Sequence, residues 1–298
     1  MQLPERIDKE MEQRKEILGS SNKYMSIQEL KKIAREVRCL ILETTHHAGH
    51  GHVGGSLSEA DILTVLFFRI MNRDISNLMW KDRDRFILSK GHATPGYYAV
   101  LAKRGYFPVE ELKTFDQMGS RLQAHPDMHK CPGVDISTGS LGQGLSCGVG
   151  MALGCRANGG SWKTWVLLGD GEMQEGQVWE ALMFAGNRRL PGIIAVIDYN
   201  KVQLASSVKE AVDLEPLTDK FIAFHWQVHI CNGHNMDDLV KTFLMAQQES
   251  EDGPVAVIAH TVKGKGVSFM EHQWAWHGKA PDDEQFRLAI KEICENEE

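Results

Sequence analysis

The chain has 298 residues, with 33 lysines and arginines against 40 aspartates and glutamates, so its formal net charge is −7. This mildly acidic balance gives no general attraction to phosphate backbones or anionic lipid, so nucleic-acid binding and membrane-surface binding are not expected. Hydrophobic residues make up 42% of the chain and charged residues 24%, which is ordinary for a globular protein and excludes a disordered or fibrous one.

Export and membrane insertion are not indicated by any segment. The most apolar stretches, Ile62–Phe68 and Ile193–Ile197, are far shorter than the ~20 residues of a membrane span. Residues 1–25 are rich in charged side chains and lack the apolar region of a secretory signal, so we interpret them as a charged N-terminal extension. The six cysteines form no C-x-x-C pair. We therefore expect a cytoplasmic protein whose residues 26–298 form a single domain.

In the first third of the chain, the apolar pattern predicts helices and one strand. Between Ile27 and His46, apolar residues recur at helical spacing, which predicts a long amphipathic helix. The apolar segment Ile62–Ile70 follows a glycine-rich link, and Arg85–Ser89 predicts a short strand. Pro95 then suits the first turn of another helix.

The remainder of the chain alternates buried strands with helices. Continuous apolar runs, each followed by Gly, Asp, Asn or His, predict strands buried on both faces at Trp165–Leu168, Ile193–Ile197 and Val255–Ala259. Helices are predicted at Gln177–Leu190, Met236–Ser250 (capped by Asn235) and Asp282–Glu297. The fold class predicted is α/β, a mostly parallel sheet with helices on both faces.

Two of these strands are followed by oxygen-bearing side chains. Gly169-Asp170-Gly171 follows the first strand, and Asn200 lies shortly after the second. Because a β-α-β unit brings the ends of its two strands together, Asp170 and Asn200 should meet at the carboxyl edge of the sheet. Their oxygens suit Mg²⁺ or Ca²⁺, with backbone carbonyls, water and phosphate completing the shell. By itself, G-D-G is also compatible with an ordinary turn.

A glycine-rich segment, Ser137–Gly144, precedes a run of small residues and resembles a loop that opens a helix. Such a helix N-terminus binds anions readily. No Lys-Ser/Thr follows, so the segment is not a Walker A loop. The spacing Gly142-x-Gly144-x-x-x-Gly148 is one residue too long for a dinucleotide fingerprint, so NAD binding is only weakly supported.

Histidines are concentrated in the predicted loops. His46 and His50 are four residues apart, as in helical metal pairs, but Gly49 and Gly51 weaken a helix there. A structural or surface role is the better interpretation for any single histidine. Several at loop ends instead favour proton transfer and hydrogen bonding to a polyhydroxylated substrate; the histidines in question are His46, His47, His50, His52, His92, His125, His260 and His277.

Taken together, the motifs identify a resemblance. From about Ile27 to Pro281, the chain resembles the amino-terminal, diphosphate-binding half of transketolases, which are thiamine diphosphate enzymes. Six segments in family order carry the resemblance: Gly51–Ser58, Ser89–Ala93, His125–Asp127, Ser137–Gly144, Gly169–Gly176 with Asp198–Lys201, and Trp276–Gly278. Two departures are Val53 in place of a common proline and Tyr199 in place of a small polar residue.

The resemblance implies roles for individual residues and a thiamin diphosphate-binding fold. Mg²⁺ would be held by Asp170, Asn200 and the carbonyl of Val202. Glu175 resembles a glutamate that bonds across a subunit interface to the catalytic glutamate. The histidines that would face the substrate and the reacting carbon are His52, His92, His125 and His277. The residues that would bind the cofactor are His92, Gly139, Ser140, Leu141, Gly169, Asp170, Gly171, Glu172, Asn200, Val202 and His277.

The resemblance also implies a partner. In the family, the catalytic glutamate lies in a second, pyrimidine-binding domain, and only the predicted Asp282–Glu297 helix follows His277. We therefore expect one subunit of an α₂β₂ enzyme that transfers a two-carbon ketol unit between sugar phosphates, with a separate C-terminal transketolase subunit.

The alternatives are the α subunit of a 2-oxoacid dehydrogenase, a split transketolase for a modified ketose, and a solitary cofactor-binding module. Retention of four site histidines argues against the module, and the Gly-His-rich segments and Gln174-Glu175-Gly176 argue against the dehydrogenase.

Overall fold

The computed structural model describes residues 25–295, so the predicted N-terminal extension lies almost entirely outside the described residues. Its centre is a parallel five-stranded sheet with the order β1-β2-β3-β5-β4. The strands are β1 Arg85–Leu88, β2 Thr164–Gly169, β3 Ile193–Tyr199, β4 Gln227–Asn232 and β5 Val255–His260. Within the described part of the chain, every helix is too short or too polar to cross a membrane.

Helices cover both faces of this sheet. They are α1 Ile27–Ala48, α2 Val53–Val65, α3 Thr94–Arg104, α4 Gln143–Ala157, α5 Gly176–Asn187, α6 Val208–Ala211, α7 Leu217–Ala223, α8 Met236–Glu249 and α9 Asp283–Glu295. A π-helical turn, Leu66–Ile70, continues α2, and short 3₁₀ turns lie at Gly91–Ala93, Val109–Thr114, Gly171–Gln174 and Trp274–Trp276. The predicted α/β fold class is confirmed.

Side-chain alternation along the strands divides the core into two clusters. On β2, Trp165 and Leu167 belong to a cluster that includes residues of α1, α2, α3, α8 and α9, while Val166 and Leu168 belong to a second cluster that includes residues of α4, α5 and α7. Both faces are therefore apolar at successive positions, which explains why the central strands read as continuous apolar runs.

The first helix ends where the glycines predict. Ser26 and Glu29 form a capping box at its start, and Gly49 closes it in the left-handed conformation with φ 74°. The helix thus ends between His46 and His50.

Two features differ from the sequence-based expectation. The glycine-rich link is in part helical, because Gly54 and Gly55 lie inside α2, where both are buried. A side chain at Gly54 would lie 2.8 Å from the Trp276 carbonyl oxygen, so the close packing requires glycine. The edge strand β4 was not predicted, because it is largely exposed and carries polar residues.

Candidate active site

The predicted metal ligands lie side by side at the carboxyl ends of β2 and β3. Gly169 and Asp198 are register partners on these parallel strands, so the turns that follow are adjacent. The side chain of Asp170 accepts hydrogen bonds from the Gly171 amide (2.8 Å) and the Lys201 amide (2.5 Å). Asn200 Oδ1 accepts from the Val202 amide at 3.0 Å. These bonds fix both side chains at one edge of the sheet.

The donor set fits a hard divalent cation. Asp170 and Asn200 are both buried, and burial together with the nearby Asp198 carboxylate raises the pKa of Asp170 to about 7. A bound cation would favour the ionised form of such a carboxylate. Among residues 25–295, no cluster of three or more His, Cys, Asp or Glu side chains could hold a metal ion. Amide, backbone and phosphate oxygens would therefore have to complete the shell, which is the chemistry of Mg²⁺ or Ca²⁺.

Three of the predicted histidines form a compact cluster near these turns. The ring centroids of His52 and His92 are 4.7 Å apart, those of His52 and His277 5.3 Å, and those of His92 and His277 5.0 Å. Burial is the main cause that lowers their pKa values, to about 4 for His52, about 2 for His92 and about 3 for His277. All three are neutral near pH 7, so each ring has one N–H donor and one acceptor nitrogen.

The fourth histidine, His125, belongs to the same region. A side chain at Gly139 would lie 3.1 Å from the His125 ring, and His125 is also close enough to His52 to lower its pKa further. His50 lies farther out: it contributes least to lowering the pKa of His52, and its Nε2 lies 3.7 Å from Asp116.

The remaining histidines have surface or packing contacts. His46 bonds Asp283 at 2.9 Å and stacks on Phe286, which ties α1 to α9. The ring of His260 packs edge-on against Tyr199. His46 and His50 therefore do not form a metal-binding pair, in agreement with the glycines that weaken a helix there.

The glycine-rich loop packs against the His92 segment. Thr138 Oγ1 donates to the Leu88 carbonyl at 2.7 Å, and a side chain at Gly91 would lie 2.7 Å from the Gly139 nitrogen. Gly139 (φ 155°) and Gly142 (φ 83°) have backbone conformations that favour glycine. Ser140 is exposed and Leu141 half-buried at the loop tip, and α4 begins directly after Gly142, so the loop is also a helix N-terminus.

Glu172 connects the ends of β1 and β2 with the glycine-rich loop before α4. Its Oε1 accepts hydrogen bonds from Ser89 Oγ (2.5 Å) and the Gly142 amide (2.9 Å), and its Oε2 accepts from the Gly169 amide (3.2 Å). The side chain is buried, and all of these bonds are internal to the protein. Glu172 thus fixes the loops around the site.

Lys263 belongs to the site and was missed by sequence analysis. Its Nζ donates to the Val202 carbonyl at 3.0 Å and lies 2.8 Å from His277 Nδ1. Burial and the nearby Lys90 lower the pKa of Lys263 to about 8. Its position could have indicated a site residue, because it lies three residues after the apolar strand β5, at the edge of the sheet where ligands bind. Our sequence analysis considered only histidines there.

A buried ion group underlies the site. Lys90 Nζ lies 2.6 Å from Asp198 and 2.8 Å from Glu59. Burial alone would raise the pKa of Asp198, but Lys90 lowers it below its ordinary value. Asn200 Nδ2 donates to the same Asp198 carboxylate at 3.2 Å, so the Lys90–Asp198 pair supports the turn that carries Asn200.

Glu175 differs from the other predicted residues because it faces outward. It is exposed at the start of α5. Within the described part of the chain, no residue hydrogen-bonds or pairs with its carboxylate. This carboxylate is therefore available to a group outside the chain.

Comparison with known proteins assigns the chain and its fold to one family. The model of the transketolase thiamine diphosphate binding domain matches residues 29–296, so the chain belongs to this family. It is 44% identical over 265 residues to a 6-deoxy-6-sulfo-D-fructose transketolase subunit from Clostridium sp. (strain MSTE9), covering 89% of this chain and 96% of the relative. It is 41% identical over 271 residues to an apulose-4-phosphate transketolase subunit from Actinobacillus succinogenes, covering 90% and 97%.

Solved structures agree with this assignment. Transketolase from Leishmania mexicana superposes with a TM-score of 0.84 at 29% identity, covering 91% of this chain and 42% of that one. The chain thus belongs to the transketolases, which are transferases, and corresponds to their N-terminal, thiamine diphosphate-binding part; both relatives are named as transketolase subunits. Because the matched family and these relatives are transketolases, the 2-oxoacid dehydrogenase alternative is set aside.

Proposed function

We propose that this chain assembles with a pyrimidine-domain subunit into an α₂β₂ enzyme that transfers a two-carbon ketol unit from a modified ketose, which carries a sulfonate or a phosphate group, to an aldose phosphate. Support comes from two relatives whose names specify unusual ketoses, 6-deoxy-6-sulfo-D-fructose and apulose 4-phosphate. The observation that carries the proposal is the pairing of the Asp170 and Asn200 turns beside three neutral histidines.

In this proposal, Asp170, Asn200 and the Val202 carbonyl bind Mg²⁺, for which Ca²⁺ could substitute. The cofactor's diphosphate side is held by His92, Gly139, Ser140, Leu141, Gly169, Gly171 and His277. Lys263 adds a positive charge between Val202 and His277, where a diphosphate oxygen would be attracted. When bound, thiamine diphosphate supplies the nucleophilic carbon that permits carbon–carbon bond cleavage.

The histidines act on the substrate. His52, His92, His125 and His277 orient its hydroxyl groups. The low pKa values of His52, His92 and His277 support this role, because a ring that stays neutral at pH 7 offers one N–H donor and one acceptor nitrogen to substrate hydroxyls. These three rings are half-buried, which also limits the access of water to the reacting groups.

Glu175 bonds to the catalytic glutamate of the partner subunit. Its exposure and its lack of a partner among residues 25–295 support this role. The six free thiols support a reducing, cytoplasmic compartment.

The test is reconstitution. The full-length chain should show no ketol transfer alone. It should become active with thiamine diphosphate, Mg²⁺ and a C-terminal transketolase subunit, when offered 6-deoxy-6-sulfo-D-fructose, apulose 4-phosphate and unmodified ketose phosphates in parallel. Activity of the chain alone would contradict the split enzyme, and a clear preference for unmodified ketoses would contradict the proposed donor class.

A further inference from the structure

We propose that His234 is a positioning residue for this site: it binds the backbone amide of Val262 and thereby holds Lys263 against His277 and the Val202 carbonyl. His234 lies outside the histidine cluster, in the turn between β4 and α8. The proposal rests on the proposed role of Lys263 in binding the diphosphate.

The hydrogen bonds of His234 determine its tautomer. Its Nδ1 lies 2.7 Å from Asp61 Oδ2, and its Nε2 lies 2.8 Å from the Val262 nitrogen. Arg38 also pairs with Asp61. Burial alone would raise the pKa of Asp61, but Arg38 and His234 lower it to about 2. This carboxylate is therefore ionised and can only accept hydrogen bonds. The proton of His234 must therefore be on Nδ1, which leaves the Nε2 lone pair for the Val262 N–H.

The segment that carries Lys263 is anchored on both sides of it. Before Lys263, the Thr261 amide donates to the Tyr199 carbonyl at 3.3 Å, and the Val262 amide donates to His234. After it, the Gly264 amide donates to the Gly54 carbonyl at 3.0 Å. The Lys263 carbonyl also accepts from the His272 amide at 3.0 Å. His234 is the side chain that anchors the residue before Lys263, so its loss loosens the path of the backbone from β5 to Lys263.

Close packing of the two turns makes this contact specific. The Gly233 amide donates to the His260 carbonyl at 2.8 Å, and a side chain at Gly233 would lie 2.4 Å from the Thr261 methyl group. The edge strand β4 therefore ends where its turn can reach the segment after β5. Asp61, on α2, contacts His234 in this turn.

Two variants separate the two hydrogen bonds of the ring. In H234N, the shorter amide can replace Nδ1 as a donor to Asp61 but cannot reach Val262. In H234Q, the longer side chain can place an oxygen near Nε2 and accept from Val262. H229Q, on β4 and remote from Val262, is the matched control, since among residues 25–295 the side chain of His229 bonds to Glu249 alone, at 2.7 Å.

The measurements use the full-length chain assembled with its partner subunit. H234N should weaken thiamine diphosphate binding in Mg²⁺ about tenfold and accelerate hydrogen exchange at the Val262 amide, while H234Q should remain within about threefold of the original affinity. H229Q should change neither property. Equal affinities for H234N and H234Q, or faster exchange without weaker binding, would overturn the proposal.

A double-mutant cycle tests the route through Lys263. K263M should itself weaken cofactor binding, and adding H234N to K263M should cause little further loss, because both act through the same side chain. Additive losses would overturn the proposal, as would a K263M enzyme with unchanged affinity. Neither result would affect the assignment of ketol transfer, which is measured separately by reconstitution with the unaltered chain.

Discussion

Gly169 on β2 and Asp198 on β3 are register partners, and this single pairing aligns the two turns that carry the proposed metal ligands. The turn after Gly169 begins with Asp170, and the turn after Asp198 contains Asn200. Because both strands are buried in the centre of the sheet, the relative position of these turns is rigidly defined.

Replacing Asp170 by asparagine should abolish the Mg²⁺-dependent part of cofactor binding. The substitution removes the only carboxylate of the proposed ligand set, so affinity should fall by about 100-fold, at least as much as the loss of a residue that merely orients a metal ligand. Titration calorimetry of thiamine diphosphate with and without Mg²⁺ measures this. D219N, at an exposed aspartate of α7, is the control, and an equal loss in both variants would contradict the metal site.

Replacing Glu175 by glutamine should separate cofactor binding from turnover. The carboxylate faces outward, so the subunit itself should retain its affinity for thiamine diphosphate and Mg²⁺. The assembled enzyme should lose about 100-fold or more in kcat, because the catalytic glutamate of the partner subunit would lose the carboxylate that bonds to it, and an acid–base group contributes on this scale. E180Q, an exposed glutamate on the same helix, should keep most of the activity. Full activity of E175Q would exclude the proposed role across the interface.

Replacing Glu172 by glutamine should destabilise the whole protein. The new amide group would face at least one of the donors Ser89 Oγ, Gly142 N–H and Gly169 N–H, which would then lack an acceptor. The free energy of unfolding in urea should fall by about 1–3 kcal/mol. Ser89→Ala, which removes one donor and leaves the acceptor in place, should cost less. A larger cost for Ser89→Ala would contradict the connecting role of Glu172.

Acidification should destabilise the protein partly through His92. Burial lowers the pKa of His92 from 6.5 to about 2, so below pH 6.5 the unfolded chain binds a proton that the folded protein does not. Stability therefore falls as the pH decreases, by about 2 kcal/mol between pH 6.5 and 5 from this residue. Urea unfolding across this range should show a shallower decline for His92→Asn. Parallel declines in both proteins would indicate that His92 is not the group responsible.

Much of the fold was predictable because strands that are buried on both faces of the sheet appear in the sequence as continuous apolar runs. The runs at Trp165–Leu168, Ile193–Ile197 and Val255–Ala259 were each confirmed and extend by one or two residues in the structure. β4 was missed because it has no continuous apolar run: Val228 and Ile230 alternate with Gln227 and His229, a pattern of an edge strand that is too short to stand out.

The sequence by itself determined the α/β class, the two oxygen-bearing turns and the histidine-bearing loops, since each depends on neighbouring residues or on a motif of short, fixed spacing. Only the tertiary structure decided that Glu172 bonds Ser89 and Gly142, that Lys263 reaches His277, and that His234 meets Val262. These contacts join segments far apart in the chain, where a single polar residue creates no periodic pattern. Their partners are chosen by the packing of the sheet and its helices, which no local stretch of sequence specifies.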